Sequence, residues 1–332
     1  RLTQLTWQPS SASTASVTSH VGALERVDLP QGRRQLHRIQ QTMNSADTVI
    51  ESTLWVVQDY AVHKLLMPML GMELTLLRCD RRCATAPNQS ADIFSRTLMS
   101  APRALTASEL RDDLRYRLRS PQLHSATQIP DTGEQRVLAD ADGIVVDVHM
   151  HAQSSGQTPP SASDYAANDW LQSSAAEIIA LAKRGSADGT DVRSRMRNLE
   201  TFVRGFIVDK DLTTGYASAL EVARDPRGDC TEHAVLLAAL GRAQGIATRT
   251  VNGLAYSPRF AGQNNVFVPH AWVQAWTGER WESFDAALMG FDSGHIALSV
   301  GDGDPWRFYS GLELLGTLHL EGADKLPSNQ IQ

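Results

Sequence analysis

Arg227-Gly-Asp-Cys-Thr-Glu-His-Ala234, running on into Val235-Leu-Leu-Ala-Ala-Leu240, is the stretch on which the fold turns. Pro226 and Gly228 make a turn, and Asp229 follows as a side chain able to cap a helix, with Glu232 three residues on completing a capping-box pair. The spacing predicts a helix from Cys230, with Val235, Leu236, Ala239 and Leu240 buried and Gly245 ending it. Cys230 is then the first helical residue, with its sulfur at the positive end of the helix dipole, a setting that favours the nucleophilic thiolate. Asp229 and Glu232 act in the other direction, so a nearby imidazolium is needed to settle the balance. The competing reading is a small buried hydrophobe at a helix start.

Downstream, Val268-Pro-His-Ala-Trp-Val-Gln-Ala-Trp276 alternates as a strand and puts His270, Trp272, Gln274 and Trp276 on one face. Thr277-Gly-Glu-Arg280 reads as a hairpin turn into a strand from Trp281 to Asp285. Pairing Trp276 with Trp281 sets His270 opposite Ala287 and makes Asp285 a diagonal neighbour on the same face. A slip of one residue would turn Asp285 away. His270 could instead be a half-buried strand residue bonded to a carbonyl, and Asp285 a residue of the strand-end turn.

Three blocks, Arg227 to Ala234, Pro269-His-Ala-Trp272-Val273 and Trp281-Glu-Ser-Phe-Asp285, resemble the signatures of the transglutaminase-like superfamily, specifically its bacterial members with a papain-like core. The resemblance is close from Ser218 to Leu288, extends to Gly294-His-Ile-Ala297 and Gly301-Asp-Gly-Asp304, and is lost before Ala107. It implies Cys230 as nucleophile, His270 as base and Asp285 as the carboxylate that orients the imidazole. Tyr216 and Trp272 are candidate second donors to an oxyanion, beside the Cys230 backbone N–H. The implied function is thiol-dependent acyl transfer on peptide or side-chain amides, with hydrolysis ahead of transamidation. The alternative is a catalytically silent module of the same fold that binds a peptide or protein. No metal or organic cofactor is expected, and no site supports the calcium dependence of animal transglutaminases. His295 is a further candidate to approach the pocket from the strand after Asp285, whereas His233 reads as a local packing residue.

The fold class expected is α+β: helices packed on an antiparallel sheet as a papain-like core, preceded by a β-rich domain. Residues 1–151 read as the β-rich accessory domain, 152–164 (Ser-, Gly- and Pro-rich) as a linker, 165–320 as the catalytic domain and 321–332 as a tail. Within the first part, Thr48 to Val57, Met72 to Leu77, Arg115 to Leu118 and Ile144 to His151 are expected strands. Asp140-Ala-Asp-Gly143 is expected to be a hairpin turn, and Gln31 to Met43 and Thr106 to Leu114 short helices. Tyr165 to Arg184 is expected to be a helix, and a second carries Met196, Leu199, Phe202, Val203 and Phe206 as its apolar stripe, capped by Thr190 or Asp191.

Among 332 residues, 31 Lys and Arg stand against 37 Asp and Glu, with 42% apolar residues, the values of a globular protein with a mild acidic excess. No block of five like charges occurs, which argues against a nucleic-acid or polybasic membrane-surface partner, and no apolar run is long enough to span a membrane. The partner expected is a peptide or protein substrate. The chain opens at Arg1 without the charged start and apolar run of a signal peptide, and Pro9 to Ser19 has the composition of a tether. Cys79 and Cys83 could close a disulfide across a turn, or stay as two thiols. A periplasmic or secreted location is expected, with the cytoplasm as the alternative. His149-Met-His151 reads as a solvent-facing pair sooner than a metal edge, and Trp272, Trp276 and Trp281 as groove lining or cross-strand packing.

Overall fold

A computed structural model describes residues 2–8, 13–30, 32–44, 49–69, 72–84, 98–121, 123, 126, 129–140, 143–150, 158–187, 189–209, 216–304, 315 and 317–326. The chain divides into two compact units, 1–96 with 313–316 and 97–312 with 317–332. The division falls at 96/97 and not at the Ser/Pro-rich stretch 152–164, whose first six residues lie outside the described set.

The first unit is an antiparallel meander of six strands in chain order: β1 (Leu2–Gln8), β2 (Ser13–Val27), β3 (Arg34–Asn44), β4 (Val49–Val56), β5 (Val62–Met69) and β6 (Met72–Leu77). Two expectations are corrected here. The Gln31–Met43 helix is strand β3, paired on both sides, and the Pro9–Ser19 tether is from Ser13 onward the start of β2. Ladder hydrogen bonds to two neighbours outweigh weak local preference, and β-branched Thr and Val suit the pleat. Its core is small: Val27, Leu29, Leu36 and Trp55, with Val57 and Leu66 packed against them. After β6, Cys79 and Cys83 form a disulfide across the single helical turn Arg81–Ala84, where Asp80 Oδ1 accepts the Cys83 N–H at 2.8 Å.

The second unit begins with β7 (Met99–Ser100), β8 (Leu114–Arg119), β9 (Gln135–Asp140) and β10 (Gly143–Val148). The last three form a sheet with β15 (His319–Lys325), so the expected tail contributes a strand. Gly143 pairs with Asp140 across the expected hairpin. The Thr106–Leu114 segment holds only the helical turn Glu109–Arg111: Thr106 N–H and Oγ1 donate to Glu109 Oε2, and Leu114 already belongs to β8. This small sheet joins the rest of the unit through side chains, which is why no boundary falls at 152. Gln135 binds the Ala297 main chain with both ends of its amide, and the Tyr116 hydroxyl donates to Ser293 O at 2.7 Å.

Four helices follow: α1 (Ala176–Gly185), α2 (Val192–Phe206), α3 (Ala219–Arg224) and α4 (Cys230–Ala243). The α1 helix is shorter than the Tyr165–Arg184 expected, because Asn168 Oδ1 takes the N–H groups of Trp170 and Leu171 and holds that segment in a turn. Asp191 caps α2, and its stripe of Met196, Leu199 and Val203 is buried. The helices pack on β11 (Thr248–Phe260) and β12 (Gln263–Trp276), which together with β13 (Trp281–Phe284) and β14 (His295–Gly301) make an antiparallel sheet in the order β13-β12-β11-β14, with β7 also on β12. The fold is α+β. Leu236, Leu237 and Leu240 of α4 share one core with Ala271, Val273 and Ala275 of β12, where small residues let helix and sheet approach closely.

Candidate active site

Cys230 stands where the sequence puts it, at the start of α4. Asp229 Oδ1 accepts the Thr231 N–H at 2.8 Å, and Glu232 Oε2 accepts the Asp229 N–H at 2.9 Å. Glu232 is fully buried and also takes the Ala217 N–H, which ties the chain before α3 to the helix start. Gly228, at φ +146°, is required beneath it, since a Cβ there would stand 2.3 Å from Glu232 Cγ.

The hairpin register is the expected one: Trp276 pairs with Trp281, and the ladder runs to Val273 with Phe284. β7 covers β12 at Val266 and Phe267, and β13 from Val273 onward, so between them residues 268–272 have no described strand on that edge. The Cys230 sulfur lies near this gap, where the N–H of Ala271, the residue after His270, acts to lower its pKa. Just beyond the ladder, Asp285 is fully buried, and its Oδ2 receives His270 Nε2 at 2.8 Å. The structure thus brings Asp285 to His270, and Cys230 to the residue beside it. Among the described residues no hydrogen bond joins the thiol to the imidazole itself.

The Asp285 carboxylate accepts four hydrogen bonds. Oδ1 accepts the N–H groups of Ala287 and Leu288 at 2.8 and 3.1 Å, while Oδ2 accepts His295 Nε2 at 3.1 Å in addition to His270. Its own N–H donates to Glu200 Oε1 at 2.7 Å. Burial acts to raise its pKa, but the two imidazoles outweigh burial and hold the carboxyl well below the usual range. Burial raises Glu200, which lies beside Asp285 and the guanidiniums of Arg197 and Arg204. The Cys230 thiol is pushed well above its ordinary value by burial first, then by Asp229, with Asp285 and Glu232 adding to it against the Ala271 N–H. Burial, with Asp229, Asp285 and Glu232 behind it, thus works against the thiolate that the helix end favours.

Trp272 lies behind the histidine. Its ring is 6.2 Å from that of His270 at 21°, and its indole N–H donates to Ser283 Oγ. Tyr216 donates its hydroxyl to Gly303 O at 2.7 Å. Both expected oxyanion donors thus have partners of their own, and Trp272 acts as the wall that fixes the His270 ring. Trp276 and Trp281 pack edge to face at 5.6 Å across the hairpin. His233 bonds locally to Asp229 O, and His149 pairs with Asp113 at 2.8 Å, whereas His151 lies outside the described residues. Two residues with no signal in the sequence, Glu134 and Glu200, hold the strand that delivers Asp285. Burial raises Glu134 to about 7, and it accepts from Ser283 N–H, Ser283 Oγ and Gln274 Nε2. Both lie far from the motif in sequence, one in the turn before β9 and one inside α2.

One ligand atom each from His270, Asp285 and His295 lies within 4.8 Å of the others, a spacing a metal ion could bridge. These atoms are already joined by N–H···O hydrogen bonds, whose protons a metal would have to displace, so the cluster is read as hydrogen-bonded. A cavity of about 290 Å³ lies on the outer side of β13, lined by Arg193, Arg197, Arg280, Glu134, Glu282 and Phe291 among others. Its guanidiniums pair with Glu282 and Glu200.

Residues 179–286 match the family model of the transglutaminase-like superfamily. An uncharacterised protein of Mycobacterium leprae is 34% identical over 92 residues, which span 27% of this chain and a third (33%) of that protein. Among solved structures, a candidate cysteine protease from Cytophaga hutchinsonii is 15% identical with a TM-score of 0.40, covering 65% of this chain and 83% of its own. The periplasmic domain of TgpA from Pseudomonas aeruginosa is 19% identical with a TM-score of 0.36, covering 64% and 80%. The segment from 179 to 286, which carries Cys230, His270 and Asp285, is a transglutaminase-like domain.

Proposed function

We propose that this domain catalyses thiol-dependent acyl transfer on peptide or side-chain amides, with water ahead of amines as the acceptor. One observation carries the reading: Cys230 opens α4, which packs on β12, where His270 gives Nε2 to a buried Asp285 at 2.8 Å. Because Nε2 is committed, Nδ1 is the atom that faces the chemistry. The reading requires the Cys230 thiol to reach that atom. His270 then removes the proton as sulfur attacks the amide carbon, and returns it to the leaving amine. Asp285 fixes ring plane and tautomer and stabilises the transient imidazolium. The Cys230 backbone N–H, at the helix N-terminus, donates to the oxyanion. Water, or an amine, resolves the acyl-enzyme.

The raised thiol supports base-assisted attack as the route, with His270 taking the proton as sulfur attacks. The same raised thiol favours the second reading, a silent binding module. An activated peptide ester followed by mass spectrometry separates them. The enzyme reading expects an acyl adduct on Cys230, absent in Cys230→Ala, strongly reduced in His270→Ala, and released chiefly to water when hydroxylamine competes. No adduct, together with iodoacetamide alkylation unchanged by His270→Ala, would leave the binding module. The Cys79–Cys83 disulfide supports an oxidising compartment, periplasmic or extracellular.

A further inference from the structure

His295 lies beyond the segment matched to the family, on β14, and is almost fully buried. Its ring has two carboxylate partners. Nε2 meets Asp285 Oδ2 at 3.1 Å, and Nδ1 meets Asp292 Oδ1 and Asp292 O, both at 3.0 Å, with the Asp292 N–H farther off at 3.3 Å. A neutral imidazole donating to Asp285 would accept the Asp292 N–H at Nδ1 and turn a lone pair toward the two nearer oxygens of Asp292, whereas an imidazolium donates to both sides. Aromatic walls complete the site: Phe291 at 5.0 Å, Trp272 at 5.1 Å and His270 at 5.6 Å between ring centroids.

We propose that His295 is a positioning residue, an imidazolium clamped between Asp292 and Asp285 that pins the Asp285 carboxylate onto His270 and offsets its charge near the Cys230 sulfur. The proposal rests on the acyl-transfer reading and deepens it. Without that cation, Asp285 would add its full negative charge to those of Asp229 and Glu232 around a thiol that must lose its proton. The backbone places the ring deliberately. A register shift at Asn252/Gly253 lets β14 come close, and a Cβ on Gly253 would stand 2.0 Å from Ile296 O. Gly253 also pairs with His270, so one bulge sets the two histidines on the same carboxylate. Burial disfavours charge on His295, but the bonds to Asp285 and Asp292 prevail and raise it to about 10.

The titratable groups facing this ring are Asp285, Asp292 and His270. Behind Asp285 stands Glu200 with Arg197 and Arg204, and on the side of Asp292 the buried Tyr116 of β8. Asp292 is the handle for a test, because its side chain is 36% exposed and Asn keeps the Oδ1 acceptor while removing the charge. Two measurements apply, on the full chain. Nitrogen-15 NMR of the imidazole rings should find His295 carrying both ring protons at about pH 8, and Asp292→Asn should bring its titration down. In parallel, iodoacetamide alkylation of Cys230 should slow about tenfold near neutral pH in Asp292→Asn and in His295→Gln, with the profile moved to higher pH, the scale of one hydrogen bond to a charged group. His295→Gln retains a donor without charge, so full rescue by Gln would mean a merely structural role.

A singly protonated His295 ring at neutral pH, or an unchanged alkylation profile in Asp292→Asn, overturns the inference. The outcomes stay separable from those of the enzyme reading. If alkylation ignores His270→Ala while His295 still carries two protons, the acyl-transfer reading fails and the clamp survives as structure only.

Discussion

Strand β12 presents opposite chemistries on its two faces. On one, Ala271, Val273 and Ala275 are buried in an apolar core shared with the leucines of α4. On the other, His270, Trp272 and Gln274 are equally buried but bonded to Asp285, Ser283 and Glu134. The dry face fixes where α4 begins, and hence where the Cys230 sulfur lies. The polar face fixes how the His270 ring is turned. Close packing tolerates few errors of volume, and a buried polar network tolerates few missing partners. The two faces should therefore fail differently when cut.

The largest effect is expected on the dry face. Leu236→Ala removes a fully buried side chain from the middle of α4 and should cost about 2–5 kcal/mol, depending on how far the cavity collapses. Urea unfolding, with hydrogen exchange followed on α4, measures it. A cost under about 1 kcal/mol would mean that helix and sheet are not held by this packing.

A smaller cost is expected across the strand. Glu134→Ala strands the N–H of Ser283 and takes one acceptor from the amide of Gln274, at about 1–3 kcal/mol for a buried group left unpaired. Glu134→Gln retains an acceptor and should cost less. Their pH dependence sharpens the contrast. Burial raises Glu134 to about 7, above its ordinary value, so the protonated form is favoured on folding. The linked stability is fully present below the unfolded carboxyl pKa and is lost as pH rises toward and through about 7. Glu134→Gln should lack that decline, and denaturant midpoints taken at acid and neutral pH against wild type read it directly.

These faces were not equally legible in the sequence. The dry face and the motif residues follow from local rules: the Asp229–Glu232 capping pair, the 3.6-residue spacing in α4, and the Trp276–Trp281 register. Asp285 came with that register, since one turn of fixed length decides which face it shares with His270. Glu134, Glu200 and Asp292 could not be seen, because each acts through a bond across the fold that no spacing encodes. In the first unit the loss was of another kind. Strand β3 has only Leu36 fully buried, and its apolar residues Leu36, Ile39 and Met43 fall at helical rather than alternate spacing, so it reads as a helix. The break at 152–164 misled because composition marks where a chain is polar, not where contacts stop.

The finest test lies where the two faces meet, at the sulfur. Asp229 serves twice: Oδ1 caps α4 through the Thr231 N–H and Oγ1 at 2.8 and 2.9 Å, and its charge ranks next after burial in raising the Cys230 thiol. Asn caps a helix about as well as Asp, so Asp229→Asn should leave unfolding free energy within about 0.5 kcal/mol of wild type. It should nevertheless lower the thiol pKa. Alkylation in wild type should climb only above the ordinary thiol value of about 8.5, and the variant should react about threefold faster near neutral pH, the effect of half a pKa unit. Equal rates in the two proteins would show that burial alone keeps the sulfur protonated. The carboxylates would then be spectators of the polar face, and His270 would have only a desolvated thiol to overcome.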